Sequence, residues 1–295
     1  MIDFSKYPKT DTFYGGTERK FGVNIDGFEY MIKFQKQTNF GVKRFNHISE
    51  YIGCHIFNIL GFNAQETYLG LYNGEQVVAC KNFITDGFQF VPFNDVGESS
   101  LEQDKESYQY SYQDIMQMLA DNVKLTDVKE TTDMFWSIYV VDALLGNFDR
   151  HGGNWGFLKK NNRYTLAPVF DNGSCLFPQL TDDDTINKIM NSEELTNERI
   201  YKFPTSQVQL DGKKSSYFEV INSLAFNECN EAIIRVCQKF SQQSVDNLIE
   251  SMPFLTDIHK NFYKYIIRQR YEKILFPAYI RLMERKWWKS WILQV

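Results

Sequence analysis

The chain has 295 residues, enough for one large domain or two lobes around a buried core, and its 43% hydrophobic and 23% charged content is ordinary for a globular protein. A formal net charge of −5 gives no general attraction to nucleic acid or anionic membranes, so such binding would need a local basic patch. Five scattered cysteines (Cys54, Cys80, Cys175, Cys229 and Cys237) with no C-x-x-C pair argue against a disulfide framework or a thiolate metal site.

The first strong signals are two hairpin turn pairs, Asp26-Gly27 and Asn73-Gly74. They predict strands at Lys20–Ile25 and Phe28–Phe34, then at Thr67–Tyr72 and Glu75–Cys80. Between them, Ser49–Leu60 spaces Ile52, Ile56 and Ile59 or Leu60 at helical intervals, with Glu50 opening the helix and Gly61 as its C-cap. Val77–Phe83 then crosses to the remainder of the chain. From about residue 110 the pattern turns helical. Asp127 with Glu130 signals the start of a helix to Leu145 that is apolar almost all round, hence central and buried, and that stops at Gly146-Asn147.

Further helices are predicted at Tyr217–Leu224, Glu231–Phe240 and Val245–Met252, and a longer one from about Asp257 to Trp291 with a kink at Pro277. Residues 94–107 and 181–194, acidic and polar, read as surface loops. The pattern predicts an α+β fold of two lobes. A small β-rich lobe spans residues 1–83, with a hinge at about 79–83, and a large helical lobe spans 84–295. The N-terminus has no apolar leader and no stretch reaches the length of a bilayer span, so a soluble cytoplasmic protein is expected, with a specialised export route left open.

Asp149 and Asn154 follow the end of the buried helix, five positions apart. Phosphoryl transfer needs an acceptor hydroxyl oriented by a carboxylate and metal ions held against the phosphates, and protein-kinase catalytic loops use this spacing for both tasks. Asp149 would orient the hydroxyl and take its proton, Asn154 would hold Mg²⁺, and Gly152 and Gly153 would let the loop turn. The run Tyr164–Phe170 ends in Asp171-Asn172-Gly173, which delivers a second carboxylate for Mg²⁺ in the place of a kinase D-F-G. Lys33 ends an apolar strand and Glu50 lies on the neighbouring helix, as a buried phosphate-binding lysine and its acidic partner require. Gly15, Gly16 and Thr17 precede the first strand and could fold over phosphates, and the backbone at Ala79, Cys80, Lys81 and Asn82 is the expected edge for adenine. His151 reads as a support for the loop, with Asp149 the better base.

With these residues in place, the chain resembles the HipA-type serine/threonine kinases over most of its length. The likeness is carried by Leu144–His151 with Asn154-Trp155-Gly156-Phe157, and by Pro168–Cys175, Ser49-Glu50-Tyr51, Gln65-Glu66-Thr67, Val77–Lys81 and Arg199–Pro204. The resemblance implies a two-lobed protein-kinase-like fold, ATP with Mg²⁺, and a protein substrate with a Ser or Thr acceptor. By position it implies Asp149 as the catalytic aspartate, Asn154 and Asp171 as metal ligands, Lys33 as the phosphate-binding lysine and Glu50 as its partner. Autophosphorylation in the glycine-rich loop occurs in the family, and Thr17 is the nearest hydroxyl here. The longer N-terminal subdomain of the larger toxin kinases is missing from this sequence, which leaves an antitoxin-like partner open, and no DNA-binding motif is present.

Two other readings stay open. Lipid kinases of the phosphoinositide type also use a D-R-H-x-x-N loop, and a lipid or small-molecule acceptor would fit the same residues. The basic C-terminal run from Lys260 to Lys289, with Trp287, Trp288 and Trp291, could serve an anionic surface, although a solvated helix face is the simpler account. A pseudokinase-like binding module would have lost a metal ligand or the catalytic Asp, and Asp149, Asn154, Asp171 and Lys33 are all present.

Overall fold

The turn residues Asp26-Gly27 and Asn73-Gly74 all have positive φ (50° and 86°, 49° and 81°), the backbone twist that two-residue hairpins require. They close two antiparallel hairpins, β2 (Lys20–Ile25) with β3 (Phe28–Phe34) and β4 (Thr67–Tyr72) with β5 (Glu75–Lys81). The hairpins join through β3 and β5, which sets Lys33 opposite Val78, and β1 (Ile2–Asp3) adds in parallel beside β4. The resulting sheet has the order β1-β4-β5-β3-β2. The computed structural model describes residues 1–15, 19–38, 40–85, 87–96, 110–111, 116, 127–161, 163–210 and 212–292. Gly16, Thr17 and most of the loop expected at 94–107 lie outside the described residues.

Helix α1 (Asn46–Ile59) packs against this sheet through Ile48, Ile52 and Ile56, all fully buried. It begins four residues before Glu50, which therefore sits in its second turn and does not open it. The cause is Asn46, whose Oδ1 accepts the Lys36 N–H (2.8 Å) while its Nδ2 donates to the Phe34 carbonyl (3.1 Å). A polar side chain, invisible to apolar periodicity, fixes the start of the helix against the chain leaving β3.

The larger part is organised around α2 (Val128–Leu145), capped by Asp127, whose carboxylate accepts the Glu130 N–H at 2.8 Å. Trp136 through Leu145 are buried without exception, including one carboxylate, Asp142. Two small sheets flank this core. One is β6 (Gln89–Pro92) with β8 (Gly156–Lys160) and β9 (Arg163–Leu166), and the other is β7 (Tyr110–Ser111) with β10 (Thr205–Leu210) and β11 (Lys213–Ser216).

The segment expected as an acidic loop at 181–194 instead holds α3 (Asp183–Met190) and the start of α4 (Glu193–Asn197). Its acidic residues are helix-forming ones: Asp182 caps α3 through the Thr185 N–H, and Ile186 and Ile189 bury the inner face. Helices α5 (Tyr217–Ser223), α6 (Asn227–Lys239), α7 (Gln242–Glu250) and α8 (Asp257–Arg270) follow. The interruption of the last long helix lies upstream of Pro277, in a π turn at Tyr271–Leu275, and Pro277 is the second residue of α9 (Phe276–Ile292). Its missing N–H and its ring are incompatible with an α-helical bond to the Lys273 carbonyl, which lies in that π turn.

The turn follows Arg270, whose fully buried guanidinium donates to the Ala143 carbonyl at the end of α2 (2.7 Å) and to the Arg199 carbonyl. Burial lowers its pKa to about 10, still charged at neutral pH and favourable beside the negative end of α2. On the basic C-terminal face, Lys264 pairs with Glu250 and Lys286 with Glu231. The five cysteines are buried free thiols, and no described helix is long and apolar enough to cross a membrane.

Gly146 ends α2 in the left-handed region (φ 64°), which turns the chain into the segment bearing Asp149. Ala at this position should lower stability by about 1–2 kcal/mol. The expected readout is a lower urea midpoint with unchanged m-value.

Candidate active site

The loop after α2 is held from below. Asn147 donates from Nδ2 to Asp142 Oδ1 (2.9 Å), its carbonyl accepts the Tyr217 hydroxyl (2.9 Å), and its Oδ1 accepts the Asp149 N–H (3.1 Å). Asp149 itself is exposed at the surface of the cleft. The Asn154 amide folds back, its Nδ2 donating to the Asp149 carbonyl at 3.0 Å, which leaves Oδ1 as its metal-competent atom. His151 turns onto its own loop, where its Nδ1 accepts the Gly153 N–H at 3.1 Å.

Between Asp149 and His151, Arg150 points inward and uses every N–H it has. Nε and Nη2 fork onto Asp142 (2.8 and 3.1 Å), Nη1 donates to the carbonyls of Asn154 (3.0 Å) and Phe170 (2.6 Å), and Nη2 also meets Asn172 Oδ1 (2.5 Å). Burial works against the charge, but Asp142 holds the guanidinium above its ordinary pKa. One side chain therefore locks the Asp149 loop to the Asp171 segment.

Asp171 is delivered by a short extended run in which Val169 bonds Asn63 and Gln65 across an isolated bridge at Ala64. Its φ is 58°, unusual for a residue with a side chain, and its N–H donates to Glu50 Oε1 (3.0 Å). Lys33 lies between the two carboxylates, 3.4 Å from Glu50 and 3.2 Å from Asp171. It holds the Asp171 carboxyl below the usual range, whereas burial pushes the Glu50 carboxyl up against the pull of Lys33. The expected Lys33–Glu50 pair is present, with Asp171 as a third member. Lys33, Asp149 and Asp171 line one cleft together with Lys36, Gly173 and Ser174.

Asn172, fully buried, donates to Cys54 Sγ at 3.2 Å and packs onto Gly53 of α1, where an added Cβ would come within 2.5 Å of its own Cβ. Gly53, Asp142 and Arg150 are site residues that the sequence reading missed. Asp142 had a signal, the one carboxylate in the run from Met134 to Leu145, which has to be paired if buried.

Val78 of β5 lines the cleft, and the next two residues of that strand, Ala79 and Cys80, are buried. The N–H groups of Lys81 and Asn82 already donate to the Glu66 and Glu29 carbonyls (2.9 and 2.8 Å). A base edge there would meet carbonyls, or the chain from Phe83 onward. Phe83, Phe90 and Phe170 cluster beside it with centroids 5.2–6.1 Å apart, an apolar wall. Gly15 is exposed with open space around it.

The donor set suits Mg²⁺ and a phosphorylated ligand. Asn154 and Asp171 offer hard oxygen atoms and only one carboxylate, as expected where phosphate and water complete the shell. Lys33 is a buried cation at the same place.

Replacing Arg150 by Met leaves Asp142 buried without its cation, and removal of one partner of such a pair costs about 3–5 kcal/mol. Arg150→Lys should recover little of this, because an ammonium cannot reproduce the fork. Thermal and urea unfolding of both variants checks this.

Residues 12–252 match the HipA-like C-terminal domain family. The chain is similar to the serine/threonine-protein kinase CtkA of Helicobacter pylori, with 36% identity over 278 residues covering 92% of this chain and 85% of the relative. Its structure is similar to the crystal structure of a Helicobacter pylori proinflammatory kinase CtkA, with a TM-score of 0.89, 34% identity, and coverage of 96% of this chain and 98% of that one. A chain of the Shewanella oneidensis complex of HipA, HipB and operator DNA, at 16% identity, is alike in fold, with a TM-score of 0.59 over 91% of this chain and 66% of that one. The α+β, two-lobed kinase-like fold expected from the sequence is the one observed.

Proposed function

We propose that this chain, which belongs to the HipA-like C-terminal domain family and is a serine/threonine protein kinase of that type, transfers the terminal phosphoryl group of ATP to a Ser or Thr hydroxyl oriented by Asp149. The observation that supports this reading best is the shared cleft of Asp149, Asp171 and the buried Lys33, with Asn154 bonded to the Asp149 backbone. Asp149 is exposed where an acceptor can approach, and its carboxylate takes the hydroxyl proton as the oxygen attacks. Asn154 and Asp171 would hold Mg²⁺, which neutralises charge on the transferring group when bound. Lys33 binds phosphate oxygens, and Glu50 keeps it aimed by holding both its ammonium and the Asp171 N–H. The base lies toward residues 79–83, against Phe83 and Phe170, in the cleft between a lobe of residues 1–83 and a lobe of residues 84–295. By the family likeness, the glycine-rich segment that includes Gly15 would serve the phosphates, and Thr17 is the hydroxyl in it expected for self-phosphorylation.

Incubation with labelled ATP and Mg²⁺, followed by phosphosite mapping on the protein and a generic protein substrate, tests this reading. Label should appear on Ser or Thr, and Asp149→Asn should lower the rate about 10²- to 10⁴-fold while nucleotide affinity is kept. A variant with the wild-type rate would remove Asp149 from its role, and label confined to lipid or small-molecule acceptors would overturn the protein-kinase reading.

Asp171→Asn is expected to abolish the gain in nucleotide affinity that Mg²⁺ provides, read by calorimetry with and without the metal. An undiminished gain rules out Asp171 as a ligand.

A further inference from the structure

Along β3 the chain runs away from the base end of the cleft: Tyr30 stands opposite Lys81, and the Asn82 N–H donates to Glu29. At about 3.3 Å per residue, Lys33 lies roughly 10 Å further on, and the chain continues three residues beyond it to Lys36. The root of Lys36 is fixed on both sides. Its N–H donates to Oδ1 of the buried Asn46 (2.8 Å), and its carbonyl accepts the Arg44 N–H (2.8 Å). From that root the side chain lines the cleft at the end where Asp149, Asp171, Gly173 and Ser174 meet. The half-buried Lys36 thus brings a cation to the same cleft as Asp171.

We propose that Lys36 is a second phosphate-binding cation, one that contacts the terminal phosphate of a nucleoside triphosphate while Lys33 serves the inner phosphates. This rests on the nucleotide reading above and deepens it. A cation at the terminal phosphate stabilises charge that moves during transfer, so it favours the transition state as well as the triphosphate. Asn46, which pins both Lys36 and the start of α1, would be its positioning residue.

The test is calorimetry on the full chain with Mg²⁺, comparing a non-hydrolysable ATP analogue with ADP. A charged hydrogen bond to phosphate predicts that Lys36→Met weakens the triphosphate about tenfold or more. ADP affinity should stay within about twofold of wild type, so the ratio between the ligands collapses, and Lys36→Arg should restore it. Lys33→Met should weaken both ligands. Lys36→Gln, closer in shape and polarity, repeats the measurement should the Met variant lose its native circular dichroism. Equal weakening of both ligands, or none, overturns the inference and leaves the functional reading intact. A wild-type chain that binds neither nucleotide overturns both.

Discussion

The guanidinium of Arg150 is the constraint on which the rest of the cleft depends. A buried arginine is tolerable only if its charge is matched and its donors are used, and here Asp142 supplies the charge while four different residues supply the oxygens. Because two of those oxygens are backbone carbonyls at Asn154 and Phe170, the arginine fixes chain path as well as side-chain position. The Asp149 loop and the Asp171 segment are far apart in sequence and held in one register by a single planar group. Asp142 can serve because α2 is buried from Trp136 to Leu145, and α2 is held at its end by a second buried arginine, Arg270.

The upper wall is built on a different principle. Lys33 is shared by Glu50 and Asp171, and Glu50 is bonded in turn to the Asp171 backbone. Three elements, β3, α1 and the Asp171 segment, therefore meet in one ionic cluster, and α1 cannot shift without disturbing the conformation of Asp171. The positive φ of Asp171 is the local sign of that constraint. Opposite pulls on the two carboxyls follow from the same geometry. The half-exposed Asp171 gains from the lysine more than it loses by desolvation, while the buried Glu50 loses more.

Much of this was legible in the residues, and the reasons for the rest are physical. The two hairpins could be read to within one residue because Asp-Gly and Asn-Gly are demanded by a positive-φ turn, a local requirement. Helix α2 was legible from Asp127 to Gly146 because cap and apolar run agree. The start of α1 was not, since it depends on an Asn46 contact with Phe34 and Lys36 that only the fold creates. Helix α3 was missed because Asp182, Asp183 and Asp184 look like a loop until their position at a helix N-terminus gives them a dipole to face. The hairpin of β10 and β11 is too polar to signal itself. The spacing of Asp149 and Asp171 pointed to one cleft, which both line, whereas Gly53 matters only because Asn172 lands on it, a long-range contact with no sequence period.

Asn172 has a consequence for pharmacology. Many protein kinases carry an aromatic ring at the middle of this tripeptide, and its packing switches between active and inactive arrangements. Here the position holds an amide clamped by Arg150 and Cys54 against a glycine that leaves no spare room. Swinging it out would cost Arg150 one of its five hydrogen bonds and part Asn172 from the Cys54 thiol. Inhibitors that work by occupying the hole left by a displaced phenyl ring would find no such ring to displace here.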